Sequence, residues 1–413
     1  MELIKKSVTG MKDILPEEME LRDHVIGLVK EVYTSFGFQS IQTPAVEHIE
    51  NLCSNQGGEN EKLIFRVMKR GEKLDIKGAE NENDLCDSGL RYDLTLPLSR
   101  YYASNLSKLI TPFKALQMGN VYRADRPQKG RFREFMQCDI DILGEPGILA
   151  EIELINATTT LLGKLGLKDF TVRINDRRML KEMASSCGFG DDRQQEVFII
   201  LDKMDKIGRD GVREELIKAG FDEKAVDKYI SLFDEAGNDP VKTAKLTGSE
   251  EALKSAGNLR DIMEAVNAVK NADYSISFDP TLVRGMSYYT GTIFEIEMKE
   301  FGSSVAGGGR YDAMIGNFTG NPVPACGFSI GFERIITILM DKGFRPEKDQ
   351  AKVAFLVEKG TDAAKLGSIM SEADRLRSDG NRVRIDTMAK NKKFQKESLS
   401  SQGYTEFKEF YRD

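Results

Sequence analysis

The 413-residue chain has only two histidines, His24 and His48, no tryptophan, and no long run of apolar residues. Two histidines are too few for a three-histidine metal site and leave little basis for a histidine dyad or a Ser-His-Asp triad. Apolar runs such as 197–201 last about five residues, whereas a membrane-spanning helix needs roughly 20, which argues against an integral membrane protein. Any chemistry must rest on Arg, Asp, Glu, Tyr and backbone groups.

The five cysteines, at positions 53, 86, 138, 187 and 326, are odd in number and include no C-x-x-C pair. This spacing argues against a disulfide framework or a structural zinc site and fits a reducing compartment. The first residues include two lysines but no apolar stretch after them, so no secretory signal is predicted. We therefore predict a cytoplasmic protein and assign no metal ligand among its side chains.

The composition is that of a globular protein, with 40% hydrophobic and 30% charged residues and a net charge of −7. This charge argues against a DNA partner that would cover the whole surface, although a local basic loop can still bind the phosphates of a nucleic acid. The length suggests two or three domains.

The residue pattern predicts an α+β protein with an antiparallel sheet, an inserted helical domain and a small C-terminal α/β domain. The predicted parts are a core in two segments (1–177 and 272–340), a helical insertion (178–271) with breaks at Gly188, Gly220, Gly237 and Gly257, a polar linker (341–350), and a β-α-β-α-β unit (351–413).

The most informative segment is 122–144, YRADRPQKGRFREFMQCDIDILG, in which alternating runs flank a basic centre. It predicts two antiparallel strands joined by a loop whose arginines and lysine can hold phosphates. Phe135 can stack on a base. Gln137, Asp139 and Asp141 would share one strand face and need polar partners if buried. The alternative is an exposed hairpin with a solvated tip.

Two further segments place polar and aromatic side chains together. In LRYDLTLPLSRY, Asp93 and Thr95 are predicted on one strand face, where they could hold an ammonium group or simply end the strand. In LVRGMSYYTGTIFE, Arg284 precedes Tyr288 and Tyr289, which on a strand would point to opposite faces. An edge strand with ordinary aromatics is the alternative for this second segment.

Two glycine-containing segments are weaker signals. GGGRYD, 307–312, is predicted as a turn cluster that could let the backbone approach a ligand, although such triplets are more often only turns. It lacks Walker A and GxGxxG spacing, so those modes of nucleotide binding are not supported. GFSIGFERI places Arg334 near the start of an apolar helix, where a lone arginine is usually a surface charge.

In this order, the segments resemble those of the histidyl-tRNA synthetases, a family of class II aminoacyl-tRNA synthetases. GFQSIQTPAVE, with Pro44, is similar to motif 1, YRADRPQKGRFREF to motif 2 and GFSIGFERI to motif 3, while LVRGMSYYTG and GGGRYD resemble the signatures of the histidine enzymes. The resemblance covers about 1–175 and 270–340 and, more loosely, the C-terminal unit. It implies ATP-dependent activation of L-histidine to histidyl-adenylate, transfer to the 3′ end of tRNA(His), Mg²⁺ accompanying ATP, and a homodimer.

The resemblance also implies residue roles. Arg123 would bind the ATP α-phosphate and the histidine carboxylate, and Arg284 would stabilise the α-phosphate, which makes these two the catalytic residues. The implied histidine-binding residues are Asp93, Thr95, Arg123, Gln137, Asp141, Arg284, Tyr288 and Tyr289, with Asp93 and Thr95 on the ammonium group and Asp141 and Tyr288 on the imidazole. The implied ATP-binding residues are Arg123, Asp125, Arg131, Phe135 (adenine) and Arg334 (γ-phosphate).

The sequence departs from the family's pattern in two places. Ser287 stands where the family usually has Asp, and the family's anticodon-binding domain is usually longer than 351–413. Anticodon reading is therefore open, and recognition could rest on the acceptor end and the motif 2 loop. The alternative function is an inactive paralogue, the histidine-sensing regulatory subunit of ATP phosphoribosyltransferase. Because Arg123, Arg284 and Arg334 are all present, the enzyme is favoured.

Overall fold

The computed structural model describes residues 3–53, 60–126, 132–284, 288–298, 300, 302–346 and 350–412. The chain divides into two compact units, one from Met1–Asp13 and Val25–Lys342, the other from Ile14–His24 and Gly343–Asp413. Among the helices of the described ranges, none has both the length and the apolar character needed to cross a membrane.

An eight-stranded sheet forms the centre of the larger unit. The strands of this unit are β1 (Gln39–Ile41), β2 (Val46–His48), β3 (Arg66–Met68), β4 (Cys86–Leu90), β5 (Phe113–Tyr122), β6 (Glu134–Leu143), β7 (Phe170–Asp176), β8 (Tyr274–Phe278), β9 (Thr292–Met298), β10 (Ser303–Arg310) and β11 (Ala325–Ile330). The order in the large sheet is β1-β5-β6-β11-β10-β9-β7-β8. Its interior pairs are antiparallel and its two edge pairs parallel, which confirms the predicted α+β class.

Helices cover this sheet and form the segment between β7 and β8. They are α1 (Pro16–Ser35), α2 (Ile49–Cys53), α3 (Thr95–Asn105), α4 (Leu149–Lys164), α5 (Arg177–Cys187), α6 (Gln194–Leu201), α7 (Met204–Lys218), α8 (Glu223–Ala236), α9 (Pro240–Thr247), α10 (Glu250–Ala268), α11 (Asp312–Thr319) and α12 (Phe332–Asp341). Parallel neighbours such as β7 and β8 need a long crossover connection, and α5 to α10 supply it.

Capping residues explain where the inserted helices begin and end. Asp222 and Ser249 accept backbone N–H groups at the starts of α8 and α10, and Gly188 ends α5 in the left-handed conformation. The predicted break at Gly257 is wrong, because this glycine lies inside α10. The break lies at Gly248, which caps α9 with φ 69°.

The glycines of GGGRYD lie in β10, so the predicted turn cluster is wrong. A Cβ at Gly308 would lie 2.0 Å from the carbonyl oxygen of Gly327 on β11, and one at Gly309 would lie 2.6 Å from the carbonyl oxygen of Thr292. Glycine is therefore needed here for close strand packing and not for a turn.

The smaller unit contains a parallel sheet, in the order β13-β12-β14, covered by two helices. Its elements are β12 (Lys352–Val357), α13 (Ala363–Ser378), β13 (Arg382–Thr387), α14 (Lys392–Ser401) and β14 (Glu406–Phe410). The central strand β12 is buried along its whole length, as expected of a strand with both faces covered.

Candidate active site

One face of β6 carries the polar side chains at the centre of the candidate site. Asp139 and Asp141 are each 3% exposed, and the Gln137 amide nitrogen donates to Oδ2 of Asp139 at 2.8 Å. Gln137 Oε1, Asp139 Oδ1 and Asp141 Oδ2 are buried and form no hydrogen bond within the described residues. The predicted sharing of one strand face is therefore confirmed, and the described residues offer no donor to these three acceptor atoms.

Among the described residues, Tyr311, which directly follows β10, is the hydrogen-bond donor to Asp141. The phenol O–H donates to Oδ1 of Asp141 at 2.6 Å. Burial raises the pKa of Asp141 to about 7; the Tyr311 hydrogen bond lowers it and the nearby Asp93 raises it further. Gly327 makes room for this carboxylate, because a Cβ there would lie 2.0 Å from Oδ1 of Asp141.

Asp93 and Thr95 lie at the start of a helix, so their predicted placement on a strand face is wrong. Strand β4 ends at Leu90, and Thr95 is the first residue of α3. Oδ1 of Asp93 accepts the backbone N–H of Leu96 at 3.2 Å, while Oδ2 is buried and has no partner in the described structure. Burial raises the pKa of Asp93, and the helix N–H groups and Arg123 oppose that shift.

The tyrosine pair also departs from the prediction, because it precedes β9 and does not lie in a strand. The rings of Tyr288 and Tyr289 are 4.8 Å apart between centroids, and the Tyr288 ring is 5.9 Å from that of Tyr311. Burial raises the pKa of the Tyr288 phenol well above its ordinary value, whereas its hydrogen bond with Thr95 lowers it. This contact brings the tyrosine segment to the start of α3.

Asp93, Asp139 and Asp141 interact electrostatically at this place. Burial raises the pKa of Asp139 well above its ordinary value, and the neighbouring Asp141 adds to the shift. Three buried carboxylates with unpaired oxygens are costly unless donors complete them. The pocket is therefore built for a ligand that is rich in N–H groups or positively charged.

Arg123 follows β5 and borders the carboxylates. Its Nε donates to the carbonyl oxygen of Tyr92 at 2.9 Å, and its guanidinium carbon lies 5.1 Å from the ring centre of Phe135. The predicted stacking residue thus stacks on an arginine here. Its guanidinium also lies within electrostatic reach of Asp93.

Arg284 follows β8 and is held by an acid of the central sheet. Its Nη1 donates to Oε2 of Glu295 at 2.6 Å, while its Nε is buried without a partner in the described structure. Tyr289 lies beside the same guanidinium, which lowers the pKa of that phenol, although burial raises it overall. Gly307 provides the space, because a Cβ there would lie 2.5 Å from the Arg284 guanidinium.

Comparison with known proteins decides the family. The family model for histidyl-tRNA synthetase matches residues 10–335. The histidine–tRNA ligase of Leifsonia xyli subsp. xyli is 42% identical, over 96% of this chain and 93% of that protein. The chain belongs to the histidyl-tRNA synthetase family. A probable histidine–tRNA ligase of Tropheryma whipplei is 38% identical, over 96% of this chain and 94% of that protein.

Solved structures agree with the histidyl-tRNA synthetase fold. The histidyl-tRNA synthetase from Nostoc sp. PCC 7120 superposes with a TM-score of 0.78 at 26% identity, over 97% of this chain and 90% of that one. A Bacillus halodurans protein, described as an ATP phosphoribosyltransferase regulatory subunit/histidyl-tRNA synthetase, superposes with a TM-score of 0.80 at 21% identity. This superposition covers 100% of this chain and 99% of that one. At that identity the second likeness shows the fold alone.

Two of the three remaining residues predicted for ATP, Asp125 and Arg334, lie within the described part of this synthetase. The Asp125 carbonyl accepts the Nε of Arg133 at 3.0 Å, and Arg131 lies outside the described residues. Arg334, at the start of α12, donates to the carbonyl oxygen of Ser304 in β10. The ATP roles of these three residues stay predictions.

Sequence reasoning left three residues of this synthetase's site without a role. Tyr311 lies inside GGGRYD, so that quoted motif could have pointed to it. Asp139 belongs to the alternating segment that forms β6. Only its burial in the folded chain indicates that it is part of the site. Glu295 has no local sequence signal. It is singled out only by its hydrogen bond with Arg284, which forms once the chain is folded.

Proposed function

We propose that this chain activates L-histidine with ATP to form histidyl-adenylate and transfers the histidyl group to the 3′ end of tRNA(His). The observation that carries the proposal is the set of buried acceptor atoms on Asp93, Gln137 and Asp141 that have no donor among the described residues. A histidine ammonium group brings three N–H donors and its imidazole brings another. These donors would complete the acceptors that the described residues leave unpaired.

The proposed orientation of histidine is the one that the family resemblance implies. The ammonium group would bind Asp93 and Thr95, with Gln137 also in contact with the amino acid, and the imidazole would bind Asp141 and Tyr288, with Tyr289 as the wall of the pocket. A buried hydrogen-bonding pocket rejects analogues that lack the matching groups far better than an apolar pocket does. The pocket would therefore select histidine over amino acids of similar size.

The first chemical step needs no general base. A histidine carboxylate is ionised at pH 7 and attacks the ATP α-phosphorus, so a carboxyl–phosphate bond forms as pyrophosphate leaves. Arg123 and Arg284 would orient the carboxylate and stabilise the charge on the α-phosphate, and Mg²⁺ arrives with ATP as part of the substrate. Arg334 would bind the γ-phosphate and Phe135 the adenine.

The second substrate is proposed to be tRNA, whose terminal hydroxyl takes the histidyl group as AMP leaves. The smaller unit offers a surface for such a partner. Phe394 on α14 is 67% exposed, and the exposed Lys390 and Lys393 lie close to it in sequence. Exposed aromatic and cationic side chains together favour stacking on bases and contact with phosphates.

We further propose a cytoplasmic homodimer. All five cysteines are free, which fits a reducing compartment. Val46 of β2 and Met68 of β3, the two outer strands of a separate three-stranded sheet in the order β2-β4-β3, are 48% and 50% exposed, and such apolar side chains favour burial against a second copy. Sedimentation equilibrium of the wild type and of Val46→Lys tests this, and a wild type that stays monomeric at micromolar concentration contradicts it.

The function is tested by ATP–pyrophosphate exchange with each amino acid in turn. Exchange with histidine alone is expected. Arg284→Ala should reduce it at least about 100-fold with the fold intact, because a preorganised charge at phosphorus is lost. Arg260→Ala, which removes an exposed arginine of α10, is the control. Histidine binding without any exchange in the wild type would instead indicate the regulatory paralogue.

A further inference from the structure

Three neighbouring strands form a row of side chains beside Arg284. In the strand registers, Glu295 of β9 lies opposite Gly307 of β10 on one side and opposite Arg173 of β7 on the other. The space over Gly307 is filled by the guanidinium of Arg284. Glu295 therefore lies between two arginines, of which only Arg284 reaches the candidate site.

Glu295 contacts both arginines. Its Oε2 accepts Nη1 of Arg284 at 2.6 Å, and its Oε1 lies 3.8 Å from Nη1 of Arg173. The Glu295 side chain is 16% exposed and that of Arg173 is 10% exposed, so water screens these contacts only partly. A carboxylate between two guanidinium groups is held from both sides.

The Arg173 side chain is itself held by hydrogen bonds to two acids outside β7. Its Nε donates to Asp279 at 2.6 Å, and its Nη1 donates to Asp205 on α7 at 2.9 Å. Arg173 is therefore a rigid neighbour for Glu295, and it joins the sheet to the helical insertion.

We infer that Glu295 is a positioning residue for Arg284, and that Arg173 orients Glu295 in this role; the inference rests on the proposed function. The contact with Glu295 occupies Nη1 of Arg284, while Nε, which has no partner among the described residues, is left for an anion. An arginine side chain has many rotamers, and a fixed guanidinium loses less freedom when the transition state forms. Glu295 thus acts on the α-phosphate through Arg284 without touching the substrate.

Steady-state ATP–pyrophosphate exchange on the full chain tests this. Glu295→Gln should lower kcat about 10- to 100-fold, the value of a charge-assisted hydrogen bond, with the KM for histidine nearly unchanged. Glu297→Gln is the matched control, since Glu297 lies two residues along the same face of β9 and forms no ion pair within the described ranges. Thermal unfolding of each variant shows whether it folds.

Two comparisons separate positioning from simple packing. Glu295→Asp keeps the charge and should retain more kcat than the isosteric Glu295→Gln; the reverse order overturns the inference, because it indicates that only side-chain volume matters. Arg173→Met should lower kcat in the wild type and have little further effect in Glu295→Gln. Additive effects, or a normal kcat in Glu295→Gln, also overturn the inference.

If Glu295→Gln does not fold, Arg173→Met decides. It must then lower kcat without raising the KM for histidine, and a normal kcat in this variant refutes the positioning role. A wild type that shows no histidine-dependent exchange would refute the proposed function itself, and this outcome is distinct from an active wild type whose variants behave normally.

Discussion

Replacement of Gly307 by alanine should remove activity and leave the fold intact. A Cβ at this position would lie 2.5 Å from Cζ and from Nη1 of Arg284, whereas nonbonded carbon contacts are relaxed at about 3.5–4.0 Å. The guanidinium must therefore move by about 1 Å or more. Such a displacement of a catalytic group can cost about 100-fold in rate, and we expect a loss of that size in kcat for histidine-dependent exchange.

The fold should tolerate this change because the contact is with the end of a flexible side chain. Gly307 has no positive φ, so alanine fits its backbone and can add about 0.4–1 kcal/mol by restricting the unfolded chain. Gly308→Ala is the contrasting variant, since its Cβ would lie 2.0 Å from a backbone oxygen of β11 and should prevent folding. A normal kcat in Gly307→Ala, or a collapse of its melting temperature, would refute the reasoning.

Three further predictions concern pH and the tRNA partner. Because burial raises the pKa of Asp141 to about 7, kcat/KM for histidine should fall below pH 7 as the carboxylate gains a proton, and a flat profile from pH 6 to 8.5 would contradict this. The hydrogen bond from Tyr311 favours the ionised form of Asp141. Tyr311→Phe should therefore shift the fall of kcat/KM to higher pH and raise the KM for histidine about 10-fold. Phe394→Ala should weaken charging of tRNA in aminoacylation assays but leave pyrophosphate exchange unchanged, and equal losses in both would exclude a role confined to tRNA.

The Asp141 carboxyl group also makes the stability of the fold depend on pH. The sign of this dependence is opposite to that of a carboxylate in an ordinary ion pair. The raised pKa means that the native state binds a proton more tightly than the unfolded chain, so stability is lost as pH rises from about 4 through 7. Asp141→Asn keeps the acceptor for Tyr311 and should raise the unfolding free energy at pH 8 by a few kcal/mol, with a smaller gain at pH 5. Urea denaturation at both pH values measures this, and an equal or absent gain would contradict it.

Local patterns were sufficient for most secondary structure. The alternation in 113–122 and 135–144 predicted the antiparallel pair that forms β5 and β6, and the run VAFLV predicted a strand, which is the buried β12. The helical insertion follows from its helical pattern together with breaks such as Gly188, which ends α5. These features depend on neighbouring residues, which is why sequence reasoning found them.

The candidate site depended on the sequence for its residue types and on the tertiary structure for its arrangement. The composition, with two histidines and many arginines and acids, determined that chemistry would run by positioning and charge. Whether the glycines of GGGRYD form a turn or a close-packed strand was decided by Gly327 and Arg284, which are distant in sequence. The same holds for the partners Tyr311–Asp141 and Glu295–Arg284, because such contacts exist only once β9, β10 and β6 share one sheet. Burial then raised the pKa of Asp141, a property that no local pattern encodes.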